Sequence, residues 1–94
     1  MALRPSSRVA RNDEVMHASA GEELVMMSIE AGNYYGLDPT GRRIWEMIGE
    51  PQTVSEICAR LVAEYDVPPD VCESEVLAFL SELAEQKIID VVAN

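Results

Sequence analysis

The chain has 94 residues and carries 17 Asp and Glu against 7 Lys and Arg, a net charge of −10. That length allows one small domain with a thin core, because a chain of this size buries roughly 60–65% of its unfolded surface. The charge argues against a nucleic-acid partner, which needs clustered Lys and Arg, and against an anionic membrane surface. A hydrophobic share of 48% argues against an acidic disordered tail.

In chain order, residues 1–12 hold Arg4, Arg8 and Arg11 with Pro5 and two serines, and predict a flexible basic arm. The folded domain is expected over 13–94. Its first element is a short strand at 14–18, followed by the turn residues Ser19, Ala20 and Gly21. Leu24-Val25-Met26-Met27-Ser28-Ile29 is a compact apolar run of strand length. Glu30-Ala31-Gly32-Asn33 supplies hairpin-turn chemistry, and Tyr34-Tyr35-Gly36-Leu37 reads as a third strand. Tight connections between three short strands imply an antiparallel meander.

From Asp38 the period changes. Asp38 suits an N-cap and Pro39 a first helical position. Ile44, Trp45 and Ile48 form one apolar face, and Gly49 with Pro51 ends the helix. Thr53-Val54-Ser55-Glu56 is a capping box, and Val54, Ile57, Cys58, Leu61, Val62 and Tyr65 continue an amphipathic stripe. After Pro68-Pro69, Asp70 and Glu73 repeat the capping-box spacing, and a third helix runs to about Gln86. Ile88 to Val92 closes the chain as an extended segment. The order predicts an α+β domain, a three-stranded antiparallel sheet followed by three helices.

The third helix is apolar over too wide an arc. Cys72, Val76, Leu77, Phe79, Leu80, Leu83 and Ala84 cover about 160°, where resting on a small core needs about 100°. Either the helix packs on both sides, or it offers a second surface to a partner. The third strand raises a related question. Tyr34 and Tyr35 point to opposite faces, and an uncovered meander edge offers free N–H and C=O groups to an extended peptide.

Catalytic chemistry is sparse. His17 is the one histidine and Cys58 and Cys72 are the two cysteines, too few for a Cys/His zinc site or a disulfide scaffold. His17 reads as a surface or strand-filling residue, and both cysteines as buried thiols on helix faces. Trp45 reads as the anchor between the first helix and the sheet. The glycines are scattered and form no phosphate loop. With no apolar secretory segment at the start, the expectation is a reduced, cytoplasmic protein with no cofactor, no metal and no enzymatic activity.

Gly32-Asn33-Tyr34-Tyr35-Gly36-Leu37-Asp38-Pro39-Thr40-Gly41, then Ile44-Trp45, Thr53-Val54-Ser55-Glu56-Ile57, Phe79-Leu80-Ser81-Glu82-Leu83 and Ile88-Ile89, resembles the PqqD-like family. Its members are recognition elements for ribosomally made, post-translationally modified peptides (RiPPs). The resemblance covers roughly residues 14–92, and looks most like the stand-alone recognition proteins of lasso peptide pathways. It implies a winged helix-turn-helix-like fold that takes a precursor's leader peptide as an added strand on the third strand, in the groove beside the third helix. Lasso leaders are expected to fill its pockets with a Tyr and a Pro. Carried onto this chain, the peptide-binding residues are Asn33, Tyr34, Tyr35, Gly36 and Leu37 on the strand. On the helix they are Cys72, Glu75, Val76, Phe79, Leu80 and Leu83, with Phe79 and Glu75 favoured for the groove.

The implied partners are the leader peptide, a cysteine protease-like leader peptidase and an ATP-dependent macrocyclase. The alternatives are a PqqD-type peptide chaperone for a radical enzyme in pyrroloquinoline quinone or sactipeptide synthesis, and a generic adaptor or dimerisation module. A redox role for the cysteines is a further rival. A DNA-binding winged helix is disfavoured by Glu73, Glu75, Glu82 and Glu85 on the would-be recognition helix.

Overall fold

The computed structural model describes residues 3–21, 23–28 and 32–92. The strands are β1 (Arg8–Arg11), β2 (Val15–Ala20), β3 (Glu23–Ser28), β4 (Asn33–Leu37), β5 (Gln52–Thr53) and β6 (Ile89–Val92). The helices are α1 (Pro39–Met47), α2 (Val54–Glu64) and α3 (Pro69–Glu85). The expected meander is present as an antiparallel sheet in the order β2-β3-β4, with Met16 opposite Met27 and Met27 opposite Tyr34. Gly21 closes the first hairpin at φ 67° and Gly32 stands before β4 at φ 73°, backbone that L side chains rarely adopt. The rest of the second turn, Glu30 and Ala31 with Ile29 before it, lies outside the described residues.

A second antiparallel sheet, in the order β5-β1-β6, corrects two expectations. The domain has two three-stranded sheets rather than one, and the arm predicted over 1–12 is a central strand at its C-terminal end. Arg8 faces both Thr53 and Val92, and Arg11 faces Ile89. The reason is that β1 has a single large apolar side chain, Val9, which is fully buried. Its partners are distant in sequence, so no local period marks it.

Helix α1 starts as its sequence dictates: the Asp38 carboxylate accepts from the Gly41 N–H at 2.7 Å, with Pro39 next. Helix α2 has the capping box. Thr53 Oγ1 accepts from Glu56 N–H at 3.1 Å, and the Glu56 carboxylate accepts from Thr53 N–H at 3.2 Å. Helix α3 departs from expectation at its start, because Pro68 occupies the N-cap and Pro69 the first turn, with no side-chain cap from Asp70. The tandem prolines set extended then helical backbone, so α3 begins before Asp70 can cap it. Its far end is a Schellman turn: Ile88 N–H donates to Leu83 O at 2.9 Å and Lys87 N–H to Ala84 O at 3.1 Å, with Lys87 at φ 62°.

One apolar cluster joins every layer. Leu24 and Met26 of β3, Ile44, Trp45 and Ile48 around α1, Ile57 and Leu61 of α2, and Leu80 and Leu83 of α3 are all buried. Trp45 ties α1 to both sheets. The Arg11 guanidinium lies 4.6 Å over its ring and donates to its carbonyl oxygen at 3.0 and 2.6 Å, while His17 meets it edge-on at 5.9 Å. Arg11 therefore satisfies a carbonyl in the last turn of α1 that has no partner within the helix. Among the described residues no helix is long and apolar enough to cross a membrane.

Candidate functional site

Strand β4 is an edge of its sheet, and beside it runs a groove of about 540 Å³. Alternation assigns its side chains. Leu37 is buried and Tyr35 half-buried on the helix side, whereas Tyr34 is 76% exposed and does not line the groove. The opposite wall is the first half of α3, where Cys72, Glu75, Val76 and Phe79 follow helical spacing. The N-terminus of α1 forms the floor with Asp38, Thr40, Gly41 and Ile44, and Leu61, Tyr65 and Val67 close the end at the α2–α3 turn.

Gly41 lets these elements meet. A β-carbon there would lie 3.2 Å from Phe79 Cζ and 3.3 Å from both Asp38 Oδ1 and Leu37 Cβ. On the outer face of α1, Arg43 clamps both carboxylate oxygens of Glu64 at 2.9 and 2.7 Å, which holds the end of α2 beside Tyr65. Burial first, and then Glu82, push the Tyr35 phenol up to about 12.

Of the residues expected to touch a peptide, Tyr35, Gly36, Leu37, Cys72, Glu75, Val76 and Phe79 line the groove. Leu80 and Leu83 do not. Both are fully buried: Leu80 sits near the middle of the apolar arc of α3, and Leu83 lies one turn beyond Phe79 on the stripe that lines the groove. Asn33 begins β4, and its side chain lies outside the described ones. The lining residues that sequence reasoning missed are Asp38, Thr40, Gly41, Ile44, Leu61, Tyr65 and Val67. The interruption at Pro68-Pro69 is the one signal that α2 and α3 turn back on each other there.

The groove offers apolar surface and carboxylates. Among its lining residues the charged ones are Asp38 and Glu75, and none is Lys or Arg. Cys58 is not poised as a nucleophile: burial pushes its thiol up to about 11, with Cys72 adding to the effect. The Cys72 thiol reaches the Cys58 carbonyl at 3.9 Å. Among the described residues no group of three or more His, Cys, Asp or Glu could hold a metal ion.

Comparison with known proteins places this geometry. The sequence model described as "Coenzyme PQQ synthesis protein D (PqqD)" matches residues 23–89. Comparison with curated proteins finds no match. Among solved structures, TbiB1 in complex with the TbiA(beta) leader peptide is 32% identical, covering 90% of this chain and 99% of that one, with a TM-score of 0.79. A lasso peptide synthetase B1 complexed with the leader peptide is 20% identical over 87% of this chain and 96% of that one, with a TM-score of 0.76. The PqqD part of Methylobacterium extorquens PqqCD, described as a functional, stand-alone RiPP recognition element, is 22% identical over 95% of both chains, with a TM-score of 0.78. These last two share the fold.

Proposed function

The chain belongs to the PqqD family, and from that premise we propose that it binds the leader region of a ribosomally made precursor peptide without catalysing any step. The observation that carries the reading is the pairing of an open strand edge, β4, with an apolar groove that runs alongside it. A leader segment adds to β4 as an antiparallel strand. Its backbone satisfies the edge N–H and C=O groups, and every second side chain enters the groove toward Phe79 and Val76. The residues assigned to the peptide are Tyr35, Gly36 and Leu37 with Cys72, Glu75, Val76 and Phe79. Asn33 and Tyr34 contribute backbone pairing, and Leu80 and Leu83 support the wall from beneath.

Helices α2 and α3 with the flanking strands then serve as a winged helix-turn-helix-like scaffold whose acidic surface has no affinity for phosphates. Holding the leader presents the rest of the precursor to a cysteine protease-like leader peptidase and an ATP-dependent macrocyclase, by raising its local concentration. The lasso branch follows from the resemblance carried by the stretch from Tyr34 to Gly41, and a lasso peptide synthetase B1 complexed with the leader peptide shares the fold.

Fluorescence anisotropy with a labelled TbiA(beta) leader peptide tests the reading. Saturable binding at micromolar concentration or tighter is expected, with slower amide exchange along β4 in the complex. Absence of saturable binding up to about 100 µM overturns it.

A further inference from the structure

Helix α1 separates the peptide groove from a second hollow of about 430 Å³. Thr40, Gly41 and Ile44 line the groove, whereas Pro39, Arg42, Arg43 and Glu46, at i, i+3, i+4 and i+7, line the hollow. Gly21 of the β2–β3 turn and Tyr65 complete its lining. Tyr65 is 42% exposed and lines both spaces, so groove and hollow adjoin at its ring.

The two spaces differ in charge. The groove has Asp38 and Glu75 and no base. In the hollow, Arg43 is already engaged: it holds Glu64 at 2.9 and 2.7 Å and lies 3.8 Å from Glu46. Arg42 is half-buried, and among the described residues its side chain makes no hydrogen bond or ion pair. A guanidinium stays charged and presents a fork of N–H donors, so a carboxylate is the group it is equipped to take.

We propose that this hollow is a carboxylate site for the leader itself, in which Arg42 binds an Asp or Glu side chain a few residues before the anchored segment. The inference rests on the leader-binding reading. A strand added antiparallel to β4 has its N-terminal end beside Leu37, the last residue of β4. The next residues of the chain are Asp38, which lines the groove, and Pro39, which lines the hollow. The N-terminal flank of the peptide therefore leaves the groove toward Arg42. The chain as a whole, at a net charge of −10, repels an acidic peptide. A preference for an acid at one position thus marks a local contact, because the field of the whole molecule favours the opposite sign.

Fluorescence anisotropy on the full chain tests this. The probes are TbiA(beta) leader peptides with a single Glu or a single Gln at each position before the segment whose amides are slowed in the complex. At one or two positions the Glu form is expected to bind about two- to fivefold more tightly than the Gln form at low salt. Arg42→Gln is expected to bind the two forms alike. Arg60→Gln makes the same change in net charge at an exposed site of α2 outside the hollow, and is expected to keep the preference. Glu and Gln forms that bind the parent alike at every position, a preference that survives in Arg42→Gln, or one that is lost equally in Arg60→Gln overturns the carboxylate site while leaving leader binding intact. A parent chain that binds none of the peptides overturns the leader-binding reading, and the site with it.

Discussion

Phe79 Cζ stands 3.2 Å from the point where a β-carbon on Gly41 would be. Helix α1 and the α3 wall are therefore in contact through a glycine, and the position of the Phe79 ring depends on that absence of a side chain. Gly41→Ala has two opposed effects. Alanine favours the helix by roughly 0.5–1 kcal/mol, while Phe79 must give way by a few tenths of an ångström. We expect calorimetry to find stability within about 1 kcal/mol of the parent and anisotropy to find leader binding weakened, because the displaced ring enters the groove.

Phe79→Ala removes the ring altogether. As a half-buried aromatic lining the groove, it is expected to contribute about 1–3 kcal/mol to leader binding. Unchanged affinity in a variant that circular dichroism finds folded would remove Phe79 from the site.

Lys87 holds the C′ position of α3 at φ 62° while its neighbours complete the Schellman bonds. A side chain in that region costs energy that glycine does not incur. Lys87→Gly is expected to raise stability by about 0.5–1 kcal/mol in urea unfolding, without touching the leader. A lower midpoint would mean that the lysine side chain makes a stabilising contact outweighing its strained backbone.

The capping box predicts an acid limb to stability. Backbone and side-chain hydrogen bonds from Thr53 hold the Glu56 carboxyl below its usual value. A depressed carboxyl contributes stability that is present above the ordinary carboxylate value and lost as pH falls through the lowered one. Thr53→Ala should cost about 1 kcal/mol at neutral pH and flatten this loss in acid. Equal pH slopes for parent and variant between pH 5 and 2 would contradict it.

Asp38 and Glu75 are the charged residues of the groove lining, and Glu82 is a further exposed acid on α3. A leader with a Lys or Arg beside its anchors should bind less well at 500 mM than at 50 mM salt, where the Debye length is roughly threefold longer. If affinity is the same at both, the carboxylates serve solubility alone.

The parts of this fold that were legible in sequence are those with a local period. The β2–β3–β4 meander follows from short apolar runs between glycine turns, and α2 from Thr53, Glu56 and the stripe from Val54 to Leu61. Strand β1 was not legible, because Arg8-Val9-Ala10-Arg11 gains strand character only from partners at residues 52–53 and 89–92. The same division runs through the groove. Its walls on β4 and α3 could be read from Tyr35 and the wide apolar arc. Gly41, Tyr65 and Val67 could not, since a floor and an end exist only once three helices have turned around one another. The tandem prolines misled at one point: Pro68 itself takes the cap position that the Asp70–Glu73 spacing suggested.

Sheet β5-β1-β6 also sets an order of events during synthesis. The meander, α1 and α2 involve near neighbours in sequence, so they can assemble as the chain emerges. Strand β1 made early must wait for β6, since Arg8 pairs with Val92, more than eighty positions later. Closing so long a loop is entropically expensive and comes late. Both walls of the peptide groove, β4 and α3, precede β6 in the chain. Resistance of the nascent protein to proteolysis should then appear with its last strand.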